Sequence, residues 1–187
     1  MAVDTSQFRN GLKIELDGEP YAITYFQHVK PGKGGAFVRT KVKHLVTGRV
    51  LDRTFRSGER VEPADVEDKK MQYLYRDGEN LVFMDNQSYE QIPVPAETVG
   101  DGVKFLKENV AVGVLFWRGK PVNVELPSFI EAEVTQTDPG LRGDTASGAT
   151  KPATLETGAV VQVPLFIKEG ERIRVDTRSG EYVERVN

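Results

Sequence analysis

The chain of 187 residues holds 25 Lys and Arg against 28 Asp and Glu, a net charge of −3, with room for one or two average domains or three very small ones. It has no cysteine, which excludes disulfides, thiolate catalysis and zinc ribbons; two histidines, His28 and His44, leave few candidates for metal or acid–base chemistry. No apolar run nears the roughly 18 residues of a membrane span, and the charged opening MAVDTSQFRNGLKIELDG lacks the apolar stretch of a secretory leader, so a cytoplasmic protein without metal, cofactor or enzymatic activity is expected.

Residues 1–64 alternate apolar and polar positions in LKIELDG, YAITYFQHV and AFVRTKVKHLV, with turns at LDGEP and KPGKGG. This third is basic, with 11 Lys and Arg against 7 Asp and Glu, and 9 against 2 within residues 30–60. A concentrated basic segment is the footprint of a nucleic-acid partner even in an acidic chain. Next, 61-VEPADVED-68 reads as a joint, and the overlapping EPADVEDK as a short helix candidate. Residues 65–127 carry strand patterns in MQYLYRDG, NLVFMDN and VAVGVLFWRGKPVNVEL. Between them AETVGDGVKFLKEN, with apolar Val103, Phe105 and Leu106, is a second helix candidate, and Trp117 is expected in the core. A second joint lies near 126-LPSFIEAEV-134, and residues 128–187 continue with AVVQVPLFIKEG, RIRVDTRSG and YVERV. These two thirds are acidic, with 7 Lys and Arg each against 11 and 10 Asp and Glu.

The pattern is all-β: three small β-barrel domains, 1–64, 65–127 and 128–187. Hairpin-rich and basic, the first suits an SH3-like barrel; the others, with short strands and one small helix, suit OB-type barrels. Units this small are roughly 25–30 Å across, and three in line would span on the order of 80 Å, comparable to an arm of a folded transfer RNA.

In 30-KPGKGGAFVRTKVKH-44, Lys33 sits between Gly32 and Gly34, with Lys30, Pro31 and Gly35 around it. Glycine lets a backbone approach another surface closely, and Pro31 stiffens the entry, so the loop presents one cationic side chain on a slim stalk. By itself this is also what an exposed hairpin turn looks like. A phosphate-binding P-loop does not fit, because Gly34 occupies the Ser/Thr place. In the strand that follows, Arg39, Lys41 and Lys43 fall on one face at roughly 6.7 Å spacing, near that of successive phosphates. Such a stripe is equally a charged edge strand; tip and stripe together favour RNA.

KPGKGGAFVRTK closely resembles the domain I loop of the bacterial elongation factor P family. 151-KPATLETGAVVQVPLFIKEGE-171, with the preceding 143-GDTASGAT-150, resembles the C-terminal signature of the same family, and the resemblance covers essentially the whole chain in order. It implies a KOW/SH3-like domain followed by two OB-fold domains in an L-shaped, tRNA-like arrangement. The implied function is that of a monomeric translation elongation factor. Such a factor binds the 70S ribosome between the peptidyl and exit sites, stabilises the peptidyl-tRNA, prolyl-tRNA included, and relieves stalling at polyproline. Lys33 matches the tip residue that reaches toward the peptidyl-transferase centre. In many members that residue is extended after translation, which brings in a lysine-modifying enzyme as a partner; an unmodified lysine stays open. Gly143, Asp144 and Thr145 match a loop directed at the exit-site codon of the messenger, and Tyr182 and Arg185 match positions facing the small subunit and tRNA. Ribosomal RNA is the remaining partner implied; Arg39, Lys41 and Lys43 are the RNA-binding row expected from their own alternation and spacing. His28 and His44 read as structural or RNA-facing residues rather than ligands.

Two other readings compete. The archaeal and eukaryotic relative has two domains, and the third OB-like unit speaks against it. A general multi-OB protein for single-stranded nucleic acid would carry aromatic platforms and basic grooves in each barrel, whereas the later two thirds are acidic.

Overall fold

The computed structural model describes residues 1–140 and 148–187. The chain falls into two compact units, residues 1–69 with 114–123, and residues 70–113 with 124–187. Its strands form three antiparallel sheets, and the architecture is all-β, as the alternation requires.

The first sheet contains β1 (Val3–Asp4), β2 (Lys13–Leu16), β3 (Glu19–Val29), β4 (Phe37–His44), β5 (Val50–Arg56) and β6 (Arg60–Pro63), in the order β1-β6-β2-β3-β4-β5. Its core gathers Phe8, Ile14, Ile23, Val38, Val42 and Phe55, each contributing about 1.5–3 kcal/mol by leaving water. Every second residue of β4 is inside: Val38, Thr40, Val42 and His44 are buried, and Arg39, Lys41 and Lys43 are exposed between them. That is the period-2 geometry of a half-buried strand. On the edge strand β5 only Phe55 is buried, meeting Phe8 edge-on at 5.3 Å. His44 closes the inner row. Its Nδ1 accepts the amides of Val46 and Thr47, each at 3.1 Å, which leaves Nε2–H to donate to the Glu19 carboxylate. It is a structural staple, whereas His28 is exposed and meets Phe26 edge-on.

The second sheet contains β7 (Val66–Asp77), β8 (Asn80–Asp85), β9 (Gln91–Pro95), β10 (Ala111–Trp117) and β11 (Lys120–Glu125), in the order β11-β10-β7-β8-β9. The one short helix among the described residues, α1 (Ala96–Val99), ends at Gly100, whose φ of 71° stops the α ladder, and a 3₁₀ segment runs on to Phe105.

The third sheet contains β12 (Phe129–Thr137), β13 (Thr150–Leu155), β14 (Val160–Pro164), β15 (Arg172–Asp176) and β16 (Glu181–Val186), in the order β14-β13-β12-β15-β16. Phe105, brought in by the 3₁₀ segment, is part of this sheet's core with Leu155, Ile167 and Ile173, and Leu126 packs against it. Beside this plug Lys107 pairs with Glu156 at 3.1 Å, and the same carboxylate oxygen accepts the Glu133 amide at 3.1 Å. Burial works against the Glu156 charge, but the bonds from Lys107 and the Glu133 amide outweigh it and hold the carboxyl below its ordinary range.

Two expectations change. EPADVEDK is not helical: Arg60–Pro63 and Val66–Asp77 are strands, because β1, β2 and the second sheet supply cross-strand partners that a local acidic pattern cannot reveal. Strand breaks off inside both stretches read as joints, between Pro63 and Val66 and between Glu125 and Phe129, where β12 begins as the central strand of the third sheet. Trp117 is not in the core but half-buried, with the Arg118 guanidinium 5.0 Å over its ring. Arg118 takes φ 51° at the β10–β11 turn, where its amide bonds the Asp65 carbonyl and its side chain pairs with Glu15.

Candidate nucleic-acid interface

The tip is the loop between β3 and β4. Lys30, Pro31, Gly32, Lys33, Gly34 and Gly35 are all exposed. Gly34 has φ 97°, a conformation an L side chain adopts only under strain. Gly32 and Gly35 have no such φ, and a Cβ on either would meet no heavy atom within 4 Å. Nothing inside the protein therefore asks positions 32 and 35 to be bare. The absence of side chains there leaves room for a surface outside the chain.

Below the tip, registered pairs define the outer face of the hairpin. Phe37 stands between Val29 and Arg56, Arg39 between Gln27 and Thr54, Lys41 between Tyr25 and Asp52, and Lys43 between Ala22 and Val50. The Arg39 guanidinium lies 5.6 Å over the Phe37 ring. Among the described residues, Lys30, Lys33, Arg39, Lys41 and Lys43 make no ion pair, even though Asp52 is directly opposite Lys41. By contrast, Arg53 on the other face of β5 pairs with Asp17 at 3.2 Å. The row is a set of uncompensated cations, suited to polyanion phosphates.

The remaining candidates divide. Gly143, Asp144 and Thr145 lie outside the described residues. Tyr182 is half-buried against the third core, and burial raises its hydroxyl pKa. Arg185 reaches Glu171 at 3.7 Å and lies 5.6 Å over the Phe166 ring, so its charge is already partnered. One residue of the signature stretch behaves unlike the others: Lys151 is buried, and its ammonium donates to the Asp138 carbonyl. Among the described residues no cluster of His, Cys, Asp and Glu could hold a metal, and no helix is long and apolar enough to cross a membrane.

The class these features define is that of all-β proteins assembled from a KOW-like domain and OB domains. The elongation factor P KOW-like domain model matches residues 4–61, the elongation factor P OB domain model residues 66–124, and the elongation factor P C-terminal model residues 130–185. Elongation factor P of Synechococcus sp. (strain JA-3-3Ab) and of Desulfitobacterium hafniense (strain DSM 10664 / DCB-2) are each 55% identical over 183 residues, covering 98% of this chain and 99% of the relative. A solved structure, eukaryotic translation initiation factor 5A from Methanococcus jannaschii, matches with a TM-score of 0.51 at 25% identity, over 66% of this chain and 95% of that one. The chain belongs to the elongation factor P family of translation factors.

Proposed function

We propose that the chain acts on the ribosome without performing chemistry itself, holding the peptidyl-tRNA end in a reactive position when proline slows peptide-bond formation. The observation that carries this is the lysine tip: an exposed cation in a loop whose Gly32 and Gly35 the protein's own packing does not require. A proline ring fixes φ, so a proline-rich nascent end settles in unreactive geometries. Restoring alignment recovers several kcal/mol of barrier, and each 1.36 kcal/mol is about tenfold in rate. Lys33 supplies a long cationic arm that pairs with phosphates of the acceptor end; an enzymatic extension of Lys33 would lengthen its reach. Arg39, Lys41 and Lys43 face RNA phosphates along the same hairpin. Gly143, Asp144 and Thr145 are assigned to the messenger at the exit site, and Tyr182 with Arg185 to the small subunit, on family resemblance. A monomer in the cytoplasm, organised as domains 1–64, 65–127 and 128–187, completes the reading.

In a reconstituted translation system the protein is expected to shorten pausing at Pro-Pro-Pro, and Lys33→Ala to remove most of that effect, about tenfold or more in the rate of the stalled step. Equal pausing with and without the protein sinks the reading. Intact-mass measurement of native protein, with any added mass mapped to Lys33, determines whether the arm is extended.

A further inference from the structure

A bulge in β3 decides where Tyr25 points. Tyr21 and Ile23 are buried, and plain alternation would carry Tyr25 inside with them. Instead the pairing with β4 slips between Ile23 and Tyr25, so that Ile23 stands opposite Val42 and Tyr25 opposite Lys41. Thr24 is the additional residue, and its hydroxyl donates to the Lys41 carbonyl at 3.2 Å. Thr24 and Tyr25 are consecutive exposed residues as a result, and Phe26 takes the inward place opposite Thr40. Bulges re-aim side chains in this way beside functional surfaces, and they interrupt the ladder to do so.

The re-aimed ring is 47% exposed and lies among cations. Lys41 is its registered partner, and Gln27 with Arg39 form the next pair along the face; such pairs hold their Cβ atoms about 4.5–5.5 Å apart. The Tyr25 hydroxyl donates to Gln27 Oε1 at 3.3 Å, which ties the ring along the strand. A free aromatic face beside unpaired cations is how proteins hold single-stranded nucleic acid: the ring takes a base and the cations take its phosphates. Burial under an apolar protein partner would strand Lys41 and Arg39 without counter-ions, which disfavours that occupant.

We infer that Tyr25 is a stacking platform for an unpaired RNA nucleotide, with the flanking phosphates on Arg39 and Lys41. This rests on the proposed reading of the hairpin as an RNA-facing surface, and it adds a contact that does not depend on charge.

Binding of the full chain to ribosomes programmed with messenger and peptidyl-site tRNA, measured over a salt series, separates the two. Tyr25→Phe is expected to bind as the unaltered protein does. Tyr25→Leu should lose roughly 5- to 150-fold, the range for one stacked base, at every salt concentration, giving a line parallel to the unaltered one. Lys41→Ala should lower the salt slope by about one. Tyr75 is an internal control, 50% exposed and also just past a bulge, but paired with Val82 on β8; Tyr75→Leu should change nothing. If Lys41→Ala lowers the slope while Tyr25→Leu binds normally, the stacking inference fails and the RNA-facing reading stands. If neither changes binding, both fail. A benzophenone side chain at position 25 should crosslink to RNA, and transfer to a ribosomal protein instead would overturn the assignment.

Discussion

At the tip, a Cβ on Gly32 or Gly35 would touch nothing within 4 Å, whereas in the second unit a Cβ on Gly140 would sit 2.7 Å from the Leu165 carbonyl oxygen and one on Gly102 would sit 2.8 Å from Leu126 Cδ1. The same residue type is used for opposite reasons. Gly140 and Gly102 are bare because a neighbouring group stands where a Cβ would go, whereas Gly32 and Gly35 are bare with space all round. A glycine of the first kind serves the fold, whereas packing gives no reason for one of the second kind. The charges follow the same division: Lys107 and Glu156 neutralise each other, while Arg39, Lys41 and Lys43 make no ion pair among the described residues.

Gly140→Ala is the strongest way to break this division. Its obstacle is a backbone carbonyl, which cannot rotate aside, so the substitution should destabilise by about 1–3 kcal/mol or more in denaturant unfolding. Gly102→Ala should cost less, because Leu126 presents the end of a flexible side chain. Equal stability of Gly140→Ala and the unaltered protein would mean that the close approach at Leu165 is not needed.

A smaller effect is expected from the Lys107–Glu156 pair, which is about two-thirds buried on each side. Glu156→Gln should lower stability by less than about 1 kcal/mol at neutral pH. The sign with pH follows from the depressed folded-state pKa of Glu156. Its stabilisation is fully present above the unfolded carboxylate value and is lost as pH falls through and below that range. Stability curves of the two proteins should therefore converge in acid; curves that stay parallel would remove Glu156 from the account.

Thr40→Val probes the inner side of the tip-bearing hairpin. The Thr40 hydroxyl is buried and has no hydrogen-bond partner among the described residues. Valine keeps the branched shape and removes the unpaired group, so stability should rise by up to about 1 kcal/mol. The outer row, Arg39 and Lys41, should keep its binding. A fall in stability would show that the hydroxyl has a partner after all.

The sequence made the outer row and the tip legible because both are local: β4 alternates without interruption, and glycines around a lysine need no tertiary context to be noticed. The rest depended on distant partners. The bulge at Thr24 is invisible in YAITYFQHV, since only pairing with β4 reveals the additional residue. Phe105 was visible as an apolar residue, but its place in the third sheet's core depends on packing against β12–β15 residues more than twenty positions away. The start of β12 is hard to see because Glu131 and Glu133 dilute its apolar signal, although Ala132 and Val134 are wholly buried. The edge strand β5 was missed for a similar reason: VLDRTFR buries one side chain in seven.

The tip substitutions should have the smallest effect on folding, and the weight of the comparison falls on them. Gly32→Ala and Gly35→Ala place a methyl group where nothing is displaced and no positive φ is demanded. By restricting the unfolded chain they should leave stability unchanged or raise it by about 0.4–1 kcal/mol. Relief of pausing at Pro-Pro-Pro should nonetheless fall, because each added methyl widens the stalk beside Lys33. Gly34→Ala is the contrasting variant, since its φ of 97° should make the loop itself strained. If Gly32→Ala and Gly35→Ala keep both stability and full activity, the bareness of the tip has no external purpose, and Lys33 is only a charge on an ordinary turn.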